Sequence, residues 1–352
     1  MNQGRLLLST KEEITSAAIS KCGGFLVPQG TLLMSFKLSL GKVGIAGRDM
    51  YTNEAIAALL IRDPSRVSRD YLFHALSNLD LSESSDRAVL GATLNKRKLL
   101  ELSIPLPSLA AQERIASILD KADRLSRKRQ DAILLADDFL RAVYLDLAQH
   151  HPTRATVESL LAGVPNAART GPFGSQLLVS EFTESGIPVL GIDNVVSNTF
   201  TWAAPRFISP DKYAELERYT VRPGDVMVTI MGTTGRVAIA PDDLPTCIST
   251  KHLCTLTLDR RKMLPTYLWA CLRWDPEVKA QTRREAKGAI MEGWNMGIVK
   301  GLLVNAPPMD VQLKFEEIAG RIKRMSSAQA LAAKGTEELM ASLSSKYLEP
   351  TN

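Results

Sequence analysis

The sequence predicts an α+β fold, with two mixed α/β domains separated by two long helices that pack as an antiparallel coiled coil. Three observations predict it. One ordered set of glycine, proline and apolar positions occurs twice along the chain. Each copy alternates short β-branched stretches with glycine turns, the pattern of strands in a half-buried sheet. Each copy also ends at prolines that lead into a long helical pattern, as suits a domain end followed by a helix start.

The repeat is read directly from the residues. Gly30-Thr31-Leu32-Leu33-Met34-Ser35 leads to Gly41-Lys42-Val43-Gly44-Ile45-Ala46. Gly224-Asp225-Val226-Met227-Val228-Thr229 leads to Gly235-Arg236-Val237-Ala238-Ile239-Ala240 at a constant offset of 194. Tyr71-Leu72-Phe73-His74-Ala75-Leu76 answers Tyr267-Leu268-Trp269-Ala270-Cys271-Leu272 at offset 196. Asn95, Pro107, Gln112 and Ile118 answer Asn295, Pro307, Gln312 and Ile318 at offset 200. Small drifts in one direction, with the order kept, are what a duplication with short loop insertions leaves behind.

The elements follow in order. Residues 1–108 form the first domain and 109–150 a central helix, with 151–308 the second domain and 309–352 a distal helix. Helices are expected around Tyr71 to Leu79 and Pro265 to Trp274, and strands at Val226 to Ile230 and Val237 to Ile239. Between Gln112 and Leu147 no proline or glycine intervenes. A heptad register there puts Ile115, Ala122, Arg129, Ala136 and Val143 at one core position and Ile118, Leu125, Ala132, Phe139 and Asp146 at the other. The same register in the second helix selects Phe315, Ile322, Gln329, Thr336 and Leu343, with Ile318, Met325, Ala332, Leu339 and Lys346. Equivalent helices leaving equivalent domains would pair antiparallel.

Bulk properties narrow the class. At 352 residues and 45% hydrophobic content the chain can bury two cores. The net charge of +5 favours a polyanionic partner without naming one. Four cysteines without a CxxC pair suit a reducing cytoplasm. The first ten residues lack a signal-peptide pattern, and no run approaches the roughly 18 apolar residues of a membrane span. The central helix carries seven acidic and seven basic residues between Gln112 and Leu147, so Arg124, Arg127, Lys128 and Arg129 read as part of a solvated face.

No enzymatic motif emerges. HExxH, GxSxG, the Walker-type GxxxxGK and a GxGxxG after a strand are missing from the sequence. The amino-methyltransferase signature, Asn or Asp followed by Pro-Pro and an aromatic, is missing too. Glu285-Ala286-Lys287 with Asp275 upstream imitates half of a nuclease site, but three common residues match by chance.

The ordered set resembles the specificity subunit of type I restriction-modification systems, whose pattern is a target-recognition domain, a spacer helix, a second such domain and a second helix. The resemblance is carried by Ile104 to Ile115 at the helix entrance and by Gly41 to Ala46 with its partner Gly235 to Ala240. Gly171-Pro172-Phe173-Gly174-Ser175-Gln176-Leu177 and Ile187 to Val195 carry it in the second domain. It implies a non-catalytic chain that reads a bipartite target on double-stranded DNA and docks modification and restriction subunits. It also implies that S-adenosylmethionine, ATP and magnesium are used by those partners and not bound by this chain. Two other classes stay open: a fused nuclease or methyltransferase with an unrecognised site, and a coiled-coil scaffold that does not bind DNA.

Candidate DNA contacts lie on turns and basic clusters. Thr233, Thr234 and Arg236 flank a glycine turn, and Lys42 is the counterpart of Arg236. Ser175 and Gln176 follow Gly174. Arg283, Arg284 and Lys287 form the densest basic cluster of the second domain, and Arg87 answers Lys287 in the first. Phosphate contacts from such cations fix position, and polar side chains at base edges carry sequence information. Trp294 is expected to fill an apolar position in the domain.

The duplication is unequal. At offset 194 Met1 corresponds to Val195, so the first copy lacks a counterpart of the segment from about Thr153 to Asn194. A miscalled start, a truncated gene or completion by another chain would each account for this. The second domain is therefore expected to be whole and to bind, and the first to be N-terminally incomplete.

Overall fold

The computed structural model describes residues 4–10, 12–22, 24–37, 40–79, 81, 86–88, 91–93, 96–286 and 293–348. It divides into two units, residues 1–132 with 329–352, and residues 133–328. Unit 1 contains β1 (Leu6–Leu7), α1 (Ser16–Cys22), β2 (Leu32–Ser35), β3 (Val43–Ala46), β4 (Ile56–Leu59), α2 (Arg69–Ser77), β5 (Asp86–Ala88), β6 (Gly91–Thr93) and α3 (Lys96–Glu101). The first long helix, α4 (Leu109–His150), starts in unit 1 and ends in unit 2.

Unit 2 continues with β7 (Arg154–Thr156), β8 (Ala168–Thr170), β9 (Ile187–Leu190), β10 (Phe207–Ile208), α5 (Pro210–Leu216) and β11 (Thr220–Val221). Next come β12 (Val226–Thr229), β13 (Val237–Ile239), β14 (Cys247–Ser249), β15 (Leu253–Leu256), α6 (Pro265–Trp274), α7 (Pro276–Ala286), α8 (Met296–Gly301) and β16 (Leu303–Asn305). The second long helix, α9 (Met309–Leu348), starts in unit 2 and ends in unit 1.

The repeat is visible in the sheets. Unit 1 has the order β1-β3-β2-β4 and unit 2 the order β13-β12-β15-β8, so an antiparallel three-stranded core is common to both. In unit 2, β8 extends this core, and a second sheet of order β10-β9-β14-β11 stands beside it. Among the described residues unit 1 has no counterpart of β8 or β9. An isolated bridge between Val27 and Met50 corresponds in the repeat to the β11–β14 pairing of Val221 with Cys247. β12 and β15 are fully buried because α6 covers one face while Met227 and Leu253 face a second apolar cluster on the other.

A buried glutamine ties each domain to its helix. Gln112 donates from Nε2 to the carbonyls of Arg66 (2.9 Å) and Pro107 (2.8 Å), and its Oε1 accepts from the Ser68 N–H at 2.9 Å. Gln312 repeats this, donating to Lys262 (3.0 Å) and Pro307 (2.8 Å) and accepting from Leu264 N–H at 2.8 Å. Each satisfies three backbone groups that would otherwise be stranded where the loop before α2 or α6 meets the helix start. Tyr71 and Tyr267 lie buried next to these clamps.

The two long helices pair antiparallel within each unit. In unit 1, Ile115, Ala116 and Leu119 of α4 pack with Leu343 and Leu348 of α9. In unit 2, Leu140 and Tyr144 pack with Phe315, Ala319 and Ile322. One heptad position is as expected: Ile115, Ala122 and Ala136 are buried. The other is corrected. Ile118, Leu125 and Phe139 are exposed at 39%, 44% and 52%, while Leu119, Ser126 and Leu140 are buried. The same one-residue shift holds in α9, where Met325 and Leu339 are exposed and Ala319 and Ala333 are buried. A heptad seam alternates steps of three and four, and the structure takes the four-residue step where the sequence pattern also offered three. Arg129, at a core position, donates to the Ala332 carbonyl at 2.6 Å and to Thr336 Oγ1, so this layer of unit 1 is polar.

Among the described residues no helix is long and apolar enough to cross a membrane.

Candidate nucleic-acid interface

Strand pairing brings several separated segments of unit 2 to one end of the β12–β15 sheet. Thr229, the last residue of β12, pairs with Leu253, the first of β15, and Cys254 pairs with Thr170, the last of β8. The turn after β12, the link before β15 and the loop after β8 therefore leave the same edge. The backbone N–H of Ile230 donates to the His252 carbonyl at 2.9 Å, and that of Trp294 donates to the Ile230 carbonyl at 2.7 Å. Gly171 lies so close to Ser249 and Thr250 that any side chain there would overlap their backbone.

The β12–β13 turn is held by a three-bond lock. Gly235 N–H donates to the Thr229 carbonyl (2.8 Å), Arg236 N–H donates to Thr229 Oγ1 (2.9 Å), and Thr229 N–H donates to the Arg236 carbonyl (2.9 Å). Unit 1 repeats the lock with Ser35, Gly41 and Lys42 at 2.9, 3.1 and 2.9 Å in the same order. Both glycines have positive φ, +83° and +77°, a conformation that disfavours any side chain. The lock presents Arg236 and Lys42 as exposed cations on a rigid turn.

The other expected contacts fall as follows. Thr233 is exposed on the same turn. Thr234 is half-buried and its Oγ1 has no hydrogen-bond partner within the protein. Ser175 is exposed on a 3₁₀ turn at Gly174–Gln176. Gln176 Oε1 accepts from Phe173 N–H (3.0 Å) and Tyr219 OH (2.9 Å), so this oxygen holds the turn and the amide nitrogen is the group left to reach outward. Arg283 and Arg284 are exposed at the end of α7, which is fastened to β16 by two hydrogen bonds between Gln281 and Leu303. Lys287 lies outside the described residues, and Arg87 is on β5 with its side chain likewise outside them. Trp294 packs its ring against Gly235, covering the turn from beneath.

Arg206, Thr250, Lys251 and His252 were missed by sequence reasoning. β9 and β14 run parallel and in register, Ser249 beside Leu190, and Thr250 N–H donates to the Leu190 carbonyl at 2.8 Å. Arg206 comes to the same edge because Val189 N–H donates to its carbonyl at 2.8 Å, and its guanidinium reaches Asp193 at 2.5 Å. The signal for part of this group was legible: Ser249-Thr250-Lys251-His252 is a polar and basic link between two apolar strands.

Among the described residues, three cysteines and the carboxylate of Asp275 are tied up within the fold. Cys247, Cys254 and Cys271 are buried, and burial pushes each thiol up to about 12, away from the reactive thiolate. Asp275, which a nuclease reading would need as a metal ligand, is buried. It accepts from Tyr144 OH (2.9 Å) and Arg154 (2.6 Å), and it caps the start of α7 through Glu277 N–H (2.9 Å). Among the described residues no group of His, Cys, Asp and Glu side chains is placed to hold a metal ion.

This architecture, two mixed sheet domains joined through paired long helices, is the fold of type I specificity subunits. A crystal structure of the type I restriction-modification S subunit from M. genitalium matches over 93% of this chain and 84% of its own, with a TM-score of 0.62 at 13% identity. A structure concerned with complex assembly and conformational transition of the type I system matches over 92% and 82%, with a TM-score of 0.55 at 14% identity.

Residues 2–135 match the family model described as type I restriction modification DNA specificity domain, so the resemblance read from the sequence holds. Among curated proteins, the MjaIX specificity subunit of Methanocaldococcus jannaschii is 30% identical over 129 residues, 35% of this chain and 29% of that one. The EcoBI specificity subunit of Escherichia coli is 21% identical over 299 residues, 78% of this chain and 62% of that one. The chain thus spans less than two thirds of the length of both relatives.

Proposed function

We propose that the chain is the DNA sequence-recognition subunit of a type I restriction-modification complex, each domain reading one half of a bipartite target. The observation that carries this is the duplicated turn lock, which sets a cation, Lys42 or Arg236, at the same place on two repeats of one sheet. A basic side chain on a rigid turn suits a phosphate, and the neighbouring Ser175, Gln176, Thr233 and Thr234 suit base edges. Arg87, Arg283, Arg284 and Lys287 add backbone contacts in this reading.

The chain also docks modification and restriction subunits. The apolar residues left exposed on α4, Leu134 and Leu135 at 67% and Phe139 at 52%, support such docking. Methyl transfer from S-adenosylmethionine and ATP- and magnesium-dependent cleavage belong to those partners, and the chain itself is not catalytic.

The test is to map methylated positions in a host that carries this chain with its modification subunit. The expected pattern is a two-part motif with a fixed gap, present only when the chain is expressed. A contiguous motif, or methylation that persists without the chain, overturns the proposal, as does DNA cleavage or methylation by the purified chain alone.

A further inference from the structure

The cationic group that the sequence reading missed has more to say than its position. Arg206, Lys251 and His252 converge from the loop before β10 and the link between β14 and β15: the charges of Lys251 and Arg206 act on His252, and Arg206 in turn pairs with Asp193. Asp193 is committed to Arg206, whose side chain is still 35% exposed. Lys251 is exposed, and among the described residues it has no ion-pair partner. Arg206 and Lys251 are set against one carboxylate, and protonating His252 would add a third positive charge, so the group favours an anion.

Two further details point the same way. Thr250 Oγ1 and Arg206 Nε are enclosed yet have no hydrogen-bond partner within the protein. Turning the Thr250 hydroxyl toward a ligand therefore breaks no hydrogen bond. The backbone under the cluster is closely packed: a side chain at Gly171 would overlap Ser249 and Thr250, and one at Gly191 would meet the Arg206 guanidinium. Donors on such a base are already positioned before a ligand arrives.

We infer that Arg206, Lys251 and His252, with the Thr250 hydroxyl, grip a phosphodiester of the DNA backbone beside the β12–β13 turn, an inference that rests on the DNA-recognition reading above. A phosphodiester offers two unprotonated oxygens and a permanent charge, which suits a fork-shaped guanidinium, an ammonium and an imidazolium together. It also sets a pH dependence. Burial, and then the charges of Lys251 and Arg206, hold the His252 imidazole below its ordinary value in the free protein. A phosphate at the site reverses that bias, so binding takes up a proton and strengthens as pH falls.

The experiment measures binding of the full chain to a short duplex of mixed sequence by fluorescence anisotropy, across a salt series and between about pH 8 and about pH 5.5. Lys251→Gln is expected to weaken binding roughly five- to tenfold near 0.1 M salt and to reduce the salt slope by about 1. His252→Gln is expected to abolish most of the gain in affinity on acidification, a gain limited to about tenfold per pH unit for one proton. Arg261→Gln removes the same charge at the far end of β15, where Arg261 pairs with Asp259, and is expected to change neither quantity. Both variants keep the backbone hydrogen bonds that hold the edge, and their tryptophan emission checks that unit 2 is folded. If Lys251→Gln and His252→Gln bind like the parent at every salt and pH while the parent binds DNA, the phosphate site is wrong and the recognition reading stands. If the parent itself does not bind the duplex, both fall.

Discussion

Gln312 has no exposed surface, and its side chain serves three backbone groups at once: the Leu264 N–H and the carbonyls of Lys262 and Pro307. Replacing it with leucine keeps the volume and removes all three bonds. A buried backbone group left without a partner costs about 1 kcal/mol or more, so Gln312→Leu should destabilise unit 2 by about 3 to 5 kcal/mol. All four tryptophans, Trp202, Trp269, Trp274 and Trp294, belong to unit 2, which makes intrinsic fluorescence a reporter of that unit. With a urea dependence of about 2 to 3 kcal/mol per molar, the fluorescence midpoint should fall by about 1 to 2.5 M. Gln112→Leu makes the same three-bond deletion in unit 1, where faster hydrogen exchange of the α2 amides is the readout. A midpoint loss below about 0.3 M for Gln312→Leu would refute the reasoning, because it would mean that water or a shifted backbone replaces the clamp at almost no cost.

Gly171→Ala should destabilise unit 2 by about 1 to 3 kcal/mol, because the new methyl meets the backbone of Ser249 and Thr250, while Gly163→Ala, with open space around it, should stay within about 0.5 kcal/mol; paired urea melts decide. His252 in the free protein should titrate below the usual imidazole value of 6.5 when followed by NMR. Its folded form thus favours the neutral ring, so the stability it contributes is present above that value and is lost as pH falls through the lowered one. Arg206→Gln removes one of the two cations named as depressing it and should move the midpoint upward. Arg129→Leu, at a core position whose polar partners are Thr336 and the Ala332 carbonyl, should change thermal stability by no more than about 1 kcal/mol, since apolar packing can replace a buried polar layer. Arg283→Gln with Arg284→Gln should reduce the salt slope of duplex binding by about 2, and an unchanged slope would remove α7 from the interface.

The features that sequence alone revealed are those written in local patterns or in the repeat. α4, α6 and the β12–β13 hairpin all follow from short-range periodicity and glycine placement, and the Ser35 and Thr229 locks were foreshadowed by matching glycines and cations. The helix seam was misplaced by one residue because Ile118 and Leu119 are both apolar, and only the partner helix decides which one is covered. The convergence of Arg206 with Lys251 and His252 was invisible because it depends on the parallel pairing of β9 with β14, strands far apart in sequence with no pattern linking them. Gln176 was expected at bases from its position after Gly174, yet its carbonyl is spent on Phe173 and Tyr219, a contact that arrives from another element.

The route of the two long helices also sets the order in which the molecule can be finished during synthesis. Unit 2 is one uninterrupted stretch, residues 133–328, whereas unit 1 is assembled from residues 1–132 and the last segment, 329–352. Tyr71 and the start of α4 wait for Leu343 and Leu348, which are made only after all of unit 2 has been synthesised. The half encoded first is therefore the half completed last, held open across the folding of an entire inserted unit. A lesion near Leu343 or Leu348 of α9 would accordingly be felt in the packing of Tyr71 and the start of α4, far away in sequence, and not in that of its sequence neighbours.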